Sequence, residues 1–115
     1  MREVSVEEVL SASDLVVDVR APIEYMRSHI PGAINIPLFS DAERSVIGTI
    51  YKSKGKEAAL EKGLEYVGPK LVAILQSFRS QMSSHRVYIY CFRGGMRSQS
   101  VAWLLEFCGM DVSIL

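Results

Sequence analysis

Residues 86–98 have the sequence Arg-Val-Tyr-Ile-Tyr-Cys-Phe-Arg-Gly-Gly-Met-Arg-Ser, and this stretch indicates how the chain folds. Its β-branched and aromatic start, residues 86–90, is typical of a strand buried on both faces. Two adjacent glycines, Gly94 and Gly95, follow the strand, and a helical pattern runs from about Ser98 to Phe107. A buried strand, a glycine loop and a helix in this order predict a βα unit of a parallel sheet.

The rest of the chain repeats this alternation of strands and helices. Apolar runs at residues 15–19, 33–36 and 112–115 predict three more strands, and short helices are expected from Val6 and near Pro22. Residues 41–82 have a helical pattern, which we expect four glycine positions to divide: Gly48, Gly55, Gly63 and Gly68-Pro69. The sequence therefore predicts an α/β fold with a mainly parallel sheet.

Composition limits the class of protein. The chain has 115 residues, of which 49% are hydrophobic, so residues 1–115 are expected to form a single domain. Thirteen basic residues balance thirteen acidic ones, so a nucleic acid or anionic membrane would need a local basic patch. Without an apolar leader or a run of about 18 apolar residues, we expect a cytoplasmic protein with no membrane partner.

The arrangement of Cys91 and Arg97 carries the predicted chemistry. Five residues separate them, and the loop Phe92, Arg93, Gly94, Gly95, Met96 and Arg97 is predicted to bind an anion. Adjacent glycines let backbone N–H groups turn inward, while a helix N-terminus and Arg97 add positive charge. These groups favour a thiolate, so Cys91 is the predicted nucleophile without a histidine partner.

The other cysteine and the histidines have simpler interpretations. Cys108 lies in an apolar helical stretch, which favours a structural role, and two cysteines form no disulfide framework. His29 precedes a Pro-Gly turn and is expected to be structural. No Cys/His cluster has metal-ligand spacing, so no metal or bound cofactor is expected. Arg93 fits either the lining of the anion site or the solvent-exposed surface.

At the Cys91 loop the chain resembles a rhodanese domain. Asp18-Val19-Arg20, the stretch at residues 29–35 and the loop occur in that family's order over nearly the whole chain. The resemblance implies a rhodanese-like three-layer α/β/α fold and a sulfur carried on Cys91. The loop is one residue longer than is usual in single-domain rhodaneses, and its Cys-to-Arg spacing matches that of cysteine-dependent phosphatases.

A narrower resemblance is to the tRNA 2-selenouridine synthase family. It rests on residues 18–24, 42–59, 67–70 and 91–98, of which the second block is absent from ordinary rhodaneses. That family implies exchange of sulfur for selenium at a wobble 2-thiouridine of tRNA, with selenophosphate as donor. It also implies a following P-loop domain; the chain stops at Leu115 without one, so we expect a truncated domain whose missing part acts in cis or in trans.

Asp18, Arg20 and Ser98 are predicted to support the site. Asp18 and Arg20 end a strand at the same edge as Cys91, where they could contact substrate. The structural alternative is favoured, with Asp18 accepting backbone N–H bonds and Arg20 pairing with Glu24 four residues on.

Two further groups of residues are the lysines of the middle segment and the apolar residues of the last helix. The middle segment is locally basic and has two interleaved tyrosines, a combination that would suit contacts with tRNA: Lys52, Lys54, Lys56, Lys62 and Lys70, with Tyr51 and Tyr66. Acidic neighbours instead favour a charge-mixed helical surface. The last helix is predicted to pack its apolar residues into the core, namely Val101, Trp103, Leu104, Leu105 and Phe107.

Three functions are compatible with these features. The leading hypothesis is a sulfur or selenium transferase that forms a persulfide or selenosulfide on Cys91, using selenophosphate or a sulfane-sulfur donor. The second is a cysteine-dependent phosphatase, for which Asp41 and Glu43 are the available acids, or a stand-alone thiosulfate sulfurtransferase. The third is a non-catalytic binding module, which the presence of Cys91 disfavours.

Overall fold

The computed structural model describes residues 1–91 and 95–115, so the predictions for Phe92, Arg93 and Gly94 lie outside the described residues. In chain order the elements are β1 Arg2–Glu3, α1 Val6–Ser11, β2 Leu15–Asp18, α2 Pro22–Arg27, β3 Ile34–Asn35, α3 Asp41–Lys54, α4 Lys56–Val67, a 3₁₀ turn Gly68–Lys70, α5 Leu71–Gln81, β4 Arg86–Tyr90, α6 Met96–Phe107 and β5 Asp111–Ile114.

All the strand pairs are parallel, and the sheet order is β1-β5-β4-β2-β3. Strands β2 and β4 are neighbours with Asp18 opposite Tyr90, so both strands end at the same edge. The predicted parallel sheet is confirmed. Strand β1 was not predicted, because two exposed residues at a chain terminus leave no hydrophobic pattern.

Side chains that alternate along the strands build two cores. On one face, the Val17 and Ile89 side chains pack with Phe78 of α5 and Leu105 of α6. On the other face, Tyr88 and Tyr90 belong to a second cluster that includes Val9 of α1. Helices therefore cover both faces, and the predicted three-layer α/β/α fold is confirmed.

The glycines of the middle segment act differently from one another. Gly55 has φ +94° and separates α3 from α4, as predicted. Gly48 and Gly63 lie inside α3 and α4, so the predicted breaks at these two positions are wrong. A glycine inside a helix costs only about 1 kcal/mol relative to alanine, which packing can offset. At Gly63 an added Cβ would lie 3.4 Å from the Phe39 ring, in ordinary van der Waals contact.

The core face of α6 differs from the predicted one. Leu104 and Leu105 are buried, but Trp103 is 62% exposed and Phe107 is 78% exposed, with their rings stacked at 5.5 Å between centroids. Trp103 and Phe107 are four residues apart and share a stripe that faces away from the sheet. The prediction that they join the core is therefore wrong. Cys108, at the end of the helix, packs half-buried against the core.

Within residues 1–91 and 95–115, no helix is both long and apolar enough to cross a membrane. The same residues contain no group of three or more His, Cys, Asp or Glu side chains arranged to hold a metal ion.

Candidate functional site

Cys91 lies immediately after β4, at the carboxyl edge of the sheet. The Val19 N–H donates to the Tyr90 carbonyl at 3.1 Å, which extends the pairing of β2 and β4 to this edge. Parallel sheets bind ligands outside the carboxyl ends of their strands. The half-buried sulfur of Cys91 therefore lies where the fold places ligand sites.

Ser98 contacts the sulfur through two of its atoms. Its backbone N–H points at Sγ of Cys91 over 3.4 Å, and the thiol donates to the Ser98 hydroxyl at 3.2 Å. That hydroxyl donates in turn to the Gly95 carbonyl at 3.0 Å, and the Ser98 side chain is fully buried. Because Ser98 is in the first turn of α6, its N–H has no helical carbonyl to bind and is available to a negatively charged sulfur.

The end of the loop is built by Gly95, which has φ +62° and precedes α6. In this left-handed conformation glycine is favoured over residues with a Cβ. The helix begins at Met96, two residues earlier than the pattern predicted, so Met96, Arg97 and Ser98 form its first turn. The inward orientation of the preceding loop N–H groups stays a prediction.

Arg97 forms a two-pronged ion pair with Glu24 of α2. Its Nη1 and Nη2 atoms lie 2.6 and 3.3 Å from the two carboxylate oxygens of Glu24. Oε1 of Glu24 also accepts from the Ala21 N–H at 3.0 Å and lies 3.1 Å from Nε of Arg44. One carboxylate thus holds two guanidinium groups side by side.

The electrostatics of Glu24 follow from these contacts. Burial alone would raise the pKa of Glu24, but the hydrogen bond and charge of Arg97, with the Ala21 N–H and Arg44, outweigh burial and lower the pKa. Glu24 is therefore ionised at neutral pH. The sequence spacing predicted that Glu24 pairs with Arg20, because no local pattern connects Glu24 to a residue 73 positions away.

Asp18 and Arg20 form a buried ion pair beside the site. Asp18 is fully buried, and its carboxylate accepts from the Arg20 backbone N–H at 2.8 Å and from Nε and Nη2 of Arg20. Arg20 also donates to the Ser28 carbonyl at 2.6 Å. The predicted N–H bond to Asp18 is present, but the predicted pairing of Arg20 with Glu24 is wrong. Asp18 is closer to Arg20 than Glu24 is and pairs with it instead. The side chains of Asp18 and Arg20 together hold the end of β2.

Four of the five lysines of the middle segment separate into two groups. Lys62 pairs with Glu65 at 3.1 Å, and Lys70 pairs with Glu43 and donates to the Leu38 carbonyl. Lys52 and Lys56, with Tyr51, line a cavity between α3, α4 and the start of α6.

The remaining polar candidates have structural contacts. His29 stacks on Tyr25 with 3.7 Å between ring centroids, and its Nδ1 lies 2.7 Å from the Tyr25 carbonyl, in keeping with the structural role predicted for it. Asp41 accepts from the Ile23 N–H at 2.9 Å, which ties α2 to the start of α3. Glu43 accepts from the Ser40 N–H at 2.9 Å and caps α3.

Comparison with known proteins places these features in a family. Residues 5–115 match the rhodanese-like domain family. The chain is 42% identical over 101 residues to tRNA 2-selenouridine synthase of Nitrosomonas europaea (strain ATCC 19718), and this match covers 86% of the chain and 26% of that protein. It is 44% identical over 98 residues to tRNA 2-selenouridine synthase of Pseudomonas fluorescens (strain Pf0-1), covering 83% of the chain and 27% of that protein. The chain therefore spans about a quarter of the length of these relatives.

One solved structure is similar over almost the whole chain. It is the crystal structure of the N-terminal domain of a protein from Clostridium difficile 630 described as ATP/GTP binding. The TM-score is 0.84 at 42% sequence identity, and the match covers 97% of this chain and 88% of that one.

Proposed function

Because the chain belongs to the rhodanese-like domain family, we propose that Cys91 accepts a sulfur or selenium atom from an anionic donor and passes it to an acceptor. The observation that carries the proposal is the position of Sγ. It lies at the carboxyl edge of the sheet, and the Ser98 N–H of the first turn of α6 points at it.

The proposed first step can be written with a sulfane-sulfur donor such as thiosulfate. The Cys91 thiolate attacks the outer sulfur, an S–S bond to Cys91 forms, the sulfur–sulfur bond of the donor breaks, and sulfite leaves with the bonding pair. The persulfide then carries its negative charge on the terminal sulfur. The Ser98 N–H and the positive end of α6 would stabilise that charge, and the loop residues 92–97 would bind the oxyanion of the donor.

The donor and acceptor are proposed from the resemblance to the tRNA 2-selenouridine synthase family. We propose a sulfane-sulfur compound as the donor to Cys91, and selenophosphate as the source of the selenium that replaces sulfur at the wobble 2-thiouridine of tRNA. That exchange keeps the incoming selenium and the departing sulfur at the selenide and sulfide level, so it needs no oxidant. Because the chain spans 26% of one relative, we expect the complete tRNA reaction to use the part of such proteins that this chain does not span. A P-loop domain, in cis or as a separate chain, is the proposed partner.

A phosphatase is the second candidate, and only the five-residue spacing of Cys91 and Arg97 favours it. That reaction needs a carboxylic acid to protonate the leaving group. The two carboxylates available for this, on Asp41 and Glu43, are engaged in holding α2 and α3. Tyr90 precedes Cys91, and its hydroxyl accepts a hydrogen bond from the Ile30 N–H at 3.0 Å. Burial raises the pKa of Tyr90, so this hydroxyl stays neutral.

The test is mass spectrometry of the purified domain after incubation with thiosulfate, and separately with selenosulfate, its selenium analogue, which also releases sulfite. We expect an adduct of one chalcogen atom on Cys91 that is absent in Cys91→Ser and retained in Cys108→Ser, the matched control at the other thiol. An unmodified Cys91 under both donors would refute the transfer mechanism. Hydrolysis of a small aryl phosphate that is lost in Cys91→Ser would favour the phosphatase instead.

A further inference from the structure

A cavity of about 670 Å³ opens between α3, α4 and the first turn of α6, and we call it the α3–α4 cleft. Apolar side chains form much of its wall, including Leu38, Phe39, Ile47 and Val67. Its volume is within the range of small-molecule sites, roughly 300–1,000 Å³.

The charged side chains of the α3–α4 cleft all have the same sign. Arg44, Lys52, Lys56 and Arg97 line it, and among the described lining residues there is no aspartate or glutamate. The chain as a whole has equal numbers of basic and acidic residues, so this segregation is local. Glu24 pairs with both arginines, whereas within the described residues neither lysine has an ion-pair partner. Charge complementarity therefore favours an anionic occupant.

The cleft also offers a surface for a flat or apolar group. Tyr51 is 58% exposed on its wall, and Leu60 and Leu64 are exposed beside it. Aromatic side chains interleaved with cations are the means by which proteins bind single-stranded nucleic acid, because bases stack on the rings and phosphates contact the cations.

The cleft reaches the first turn of α6, the same turn that contacts the reactive sulfur. Arg97 lines the cleft, and the following residue, Ser98, contacts Sγ of Cys91 through its N–H and its hydroxyl. Glu24 contacts only the Nη1 and Nη2 edge of the Arg97 guanidinium, so the Nε–H is not used in that pair.

We propose that the α3–α4 cleft binds a nucleotide of single-stranded RNA. Its phosphates contact Arg44, Lys52, Lys56 and Arg97, and its base lies against Tyr51 and the apolar wall. This proposal rests on the proposed function, since a chalcogen atom on Cys91 needs an acceptor, and it gives that acceptor a place at the turn of α6 that also contacts the sulfur.

Gly48 provides a variant that blocks the cleft without removing charge. It lines the cleft inside α3, and a Cβ added there meets no atom within 4 Å. Leucine favours helix more than glycine does, so Gly48→Leu should fold at least as stably as the wild type while its side chain occupies the cleft.

The experiment measures fluorescence anisotropy of a labelled pentauridylate with the purified domain at low salt. We expect salt-sensitive binding that weakens about tenfold or more in Lys52→Ala/Lys56→Ala and in Gly48→Leu. Lys54→Ala is the matched control, because it removes one charge from α3 at a residue outside the cleft lining. Thermal melting of each variant shows that a loss of binding is not a loss of fold.

Besides an absence of RNA binding, three results would overturn the proposal. One is unchanged binding in Gly48→Leu, and another is a loss in Lys54→Ala equal to that in Lys52→Ala/Lys56→Ala. The third is tighter binding of dodecyl phosphate than of the oligonucleotide, which would assign the cleft to an anionic amphiphile. Loading of Cys91 by thiosulfate is measured on the wild type in parallel. A domain that loads sulfur without binding RNA contradicts only the cleft proposal, and one that binds RNA without loading contradicts only the transferase.

Discussion

Replacing Asp18 with asparagine tests the structural role of the ion pair that ends β2. The carboxylate is fully buried and accepts from the backbone and side chain of Arg20, whose own exposed fraction is 9%. Asparagine keeps the shape of the side chain but removes its charge and turns an amide NH₂ toward one of the Arg20 contacts. The guanidinium of Arg20 then remains buried without a counter-ion.

The size of the effect follows from that uncompensated charge. Removing one partner of a buried ion pair costs roughly 3–5 kcal/mol, because the remaining charge keeps its desolvation penalty. Asparagine still offers one carbonyl oxygen, so we expect the lower end, about 3 kcal/mol. Since small domains have unfolding free energies of about 5–15 kcal/mol, the variant should still fold at 25 °C.

The assay is urea unfolding followed by far-UV circular dichroism. The control is Asp14→Asn, a less buried aspartate whose carboxylate accepts one hydrogen bond, from the Ser84 hydroxyl at 3.3 Å, and we expect it to cost at most about 0.5 kcal/mol. In a double-mutant cycle, Arg20→Gln should recover at least about 1 kcal/mol of the Asp18→Asn loss. If Asp18→Asn costs less than about 1 kcal/mol, the pair is not a structural anchor and a substrate contact becomes the better explanation.

Two further predictions concern the packing of α5 and α6, and the ion pair of Glu24. Phe78→Ala should lower the unfolding free energy by about 3–5 kcal/mol in urea titrations, whereas Trp103→Ala should cost at most about 1 kcal/mol because its ring is mostly in solvent; equal losses would place Trp103 in the core after all. The folded-state pKa of Glu24 lies below its ordinary value of 4.5, so its contribution to stability is complete above that value and is lost as the pH falls through the lower folded pKa. Urea titration at several pH values measures this contribution. Below about pH 4.5, the unfolding free energy of Glu24→Gln should therefore fall less steeply with falling pH than that of the wild type. Identical slopes would contradict a stabilising Glu24–Arg97 pair.

The sheet could be predicted from sequence because its central strands are buried on both faces. Residues 15–18 and 86–90 are continuous β-branched and aromatic runs, a pattern that depends only on neighbours along the chain. The position of Cys91 follows from the same local logic, since a strand, a loop and a helix in succession place the loop at the carboxyl edge.

The face that α6 buries could not be predicted with the same ease. Trp103 and Phe107 are as apolar as Leu104 and Leu105, and apolar residues occur around most of the helix, so hydrophobicity alone does not select the stripe that meets the sheet. The orientation of the helix is decided by tertiary packing against β4, β5 and Phe78, which the sequence does not display.

The partner of Arg97 was missed for a different reason. An ion pair between residues 24 and 97 joins α2 to the start of α6, and sequence spacing predicts only the pairs that lie within one helix turn. The structural alternative for Arg20 was correct in kind but assigned the wrong carboxylate, because Asp18 two residues before it is buried and closer than Glu24.

A net charge of zero is compatible with strong local attraction for anions at this site. Thirteen positive and thirteen negative side chains cancel over the whole surface, but screening at physiological salt acts over about 8 Å, so an approaching anion responds mainly to the groups near it. At the α3–α4 cleft and the first turn of α6 those groups are the N-terminus of α6 and four cationic side chains, of which two share the single carboxylate of Glu24. We therefore expect the affinity of the site for anionic donors and acceptors to depend on Glu24, Lys52 and Lys56 far more than on the overall charge of the chain.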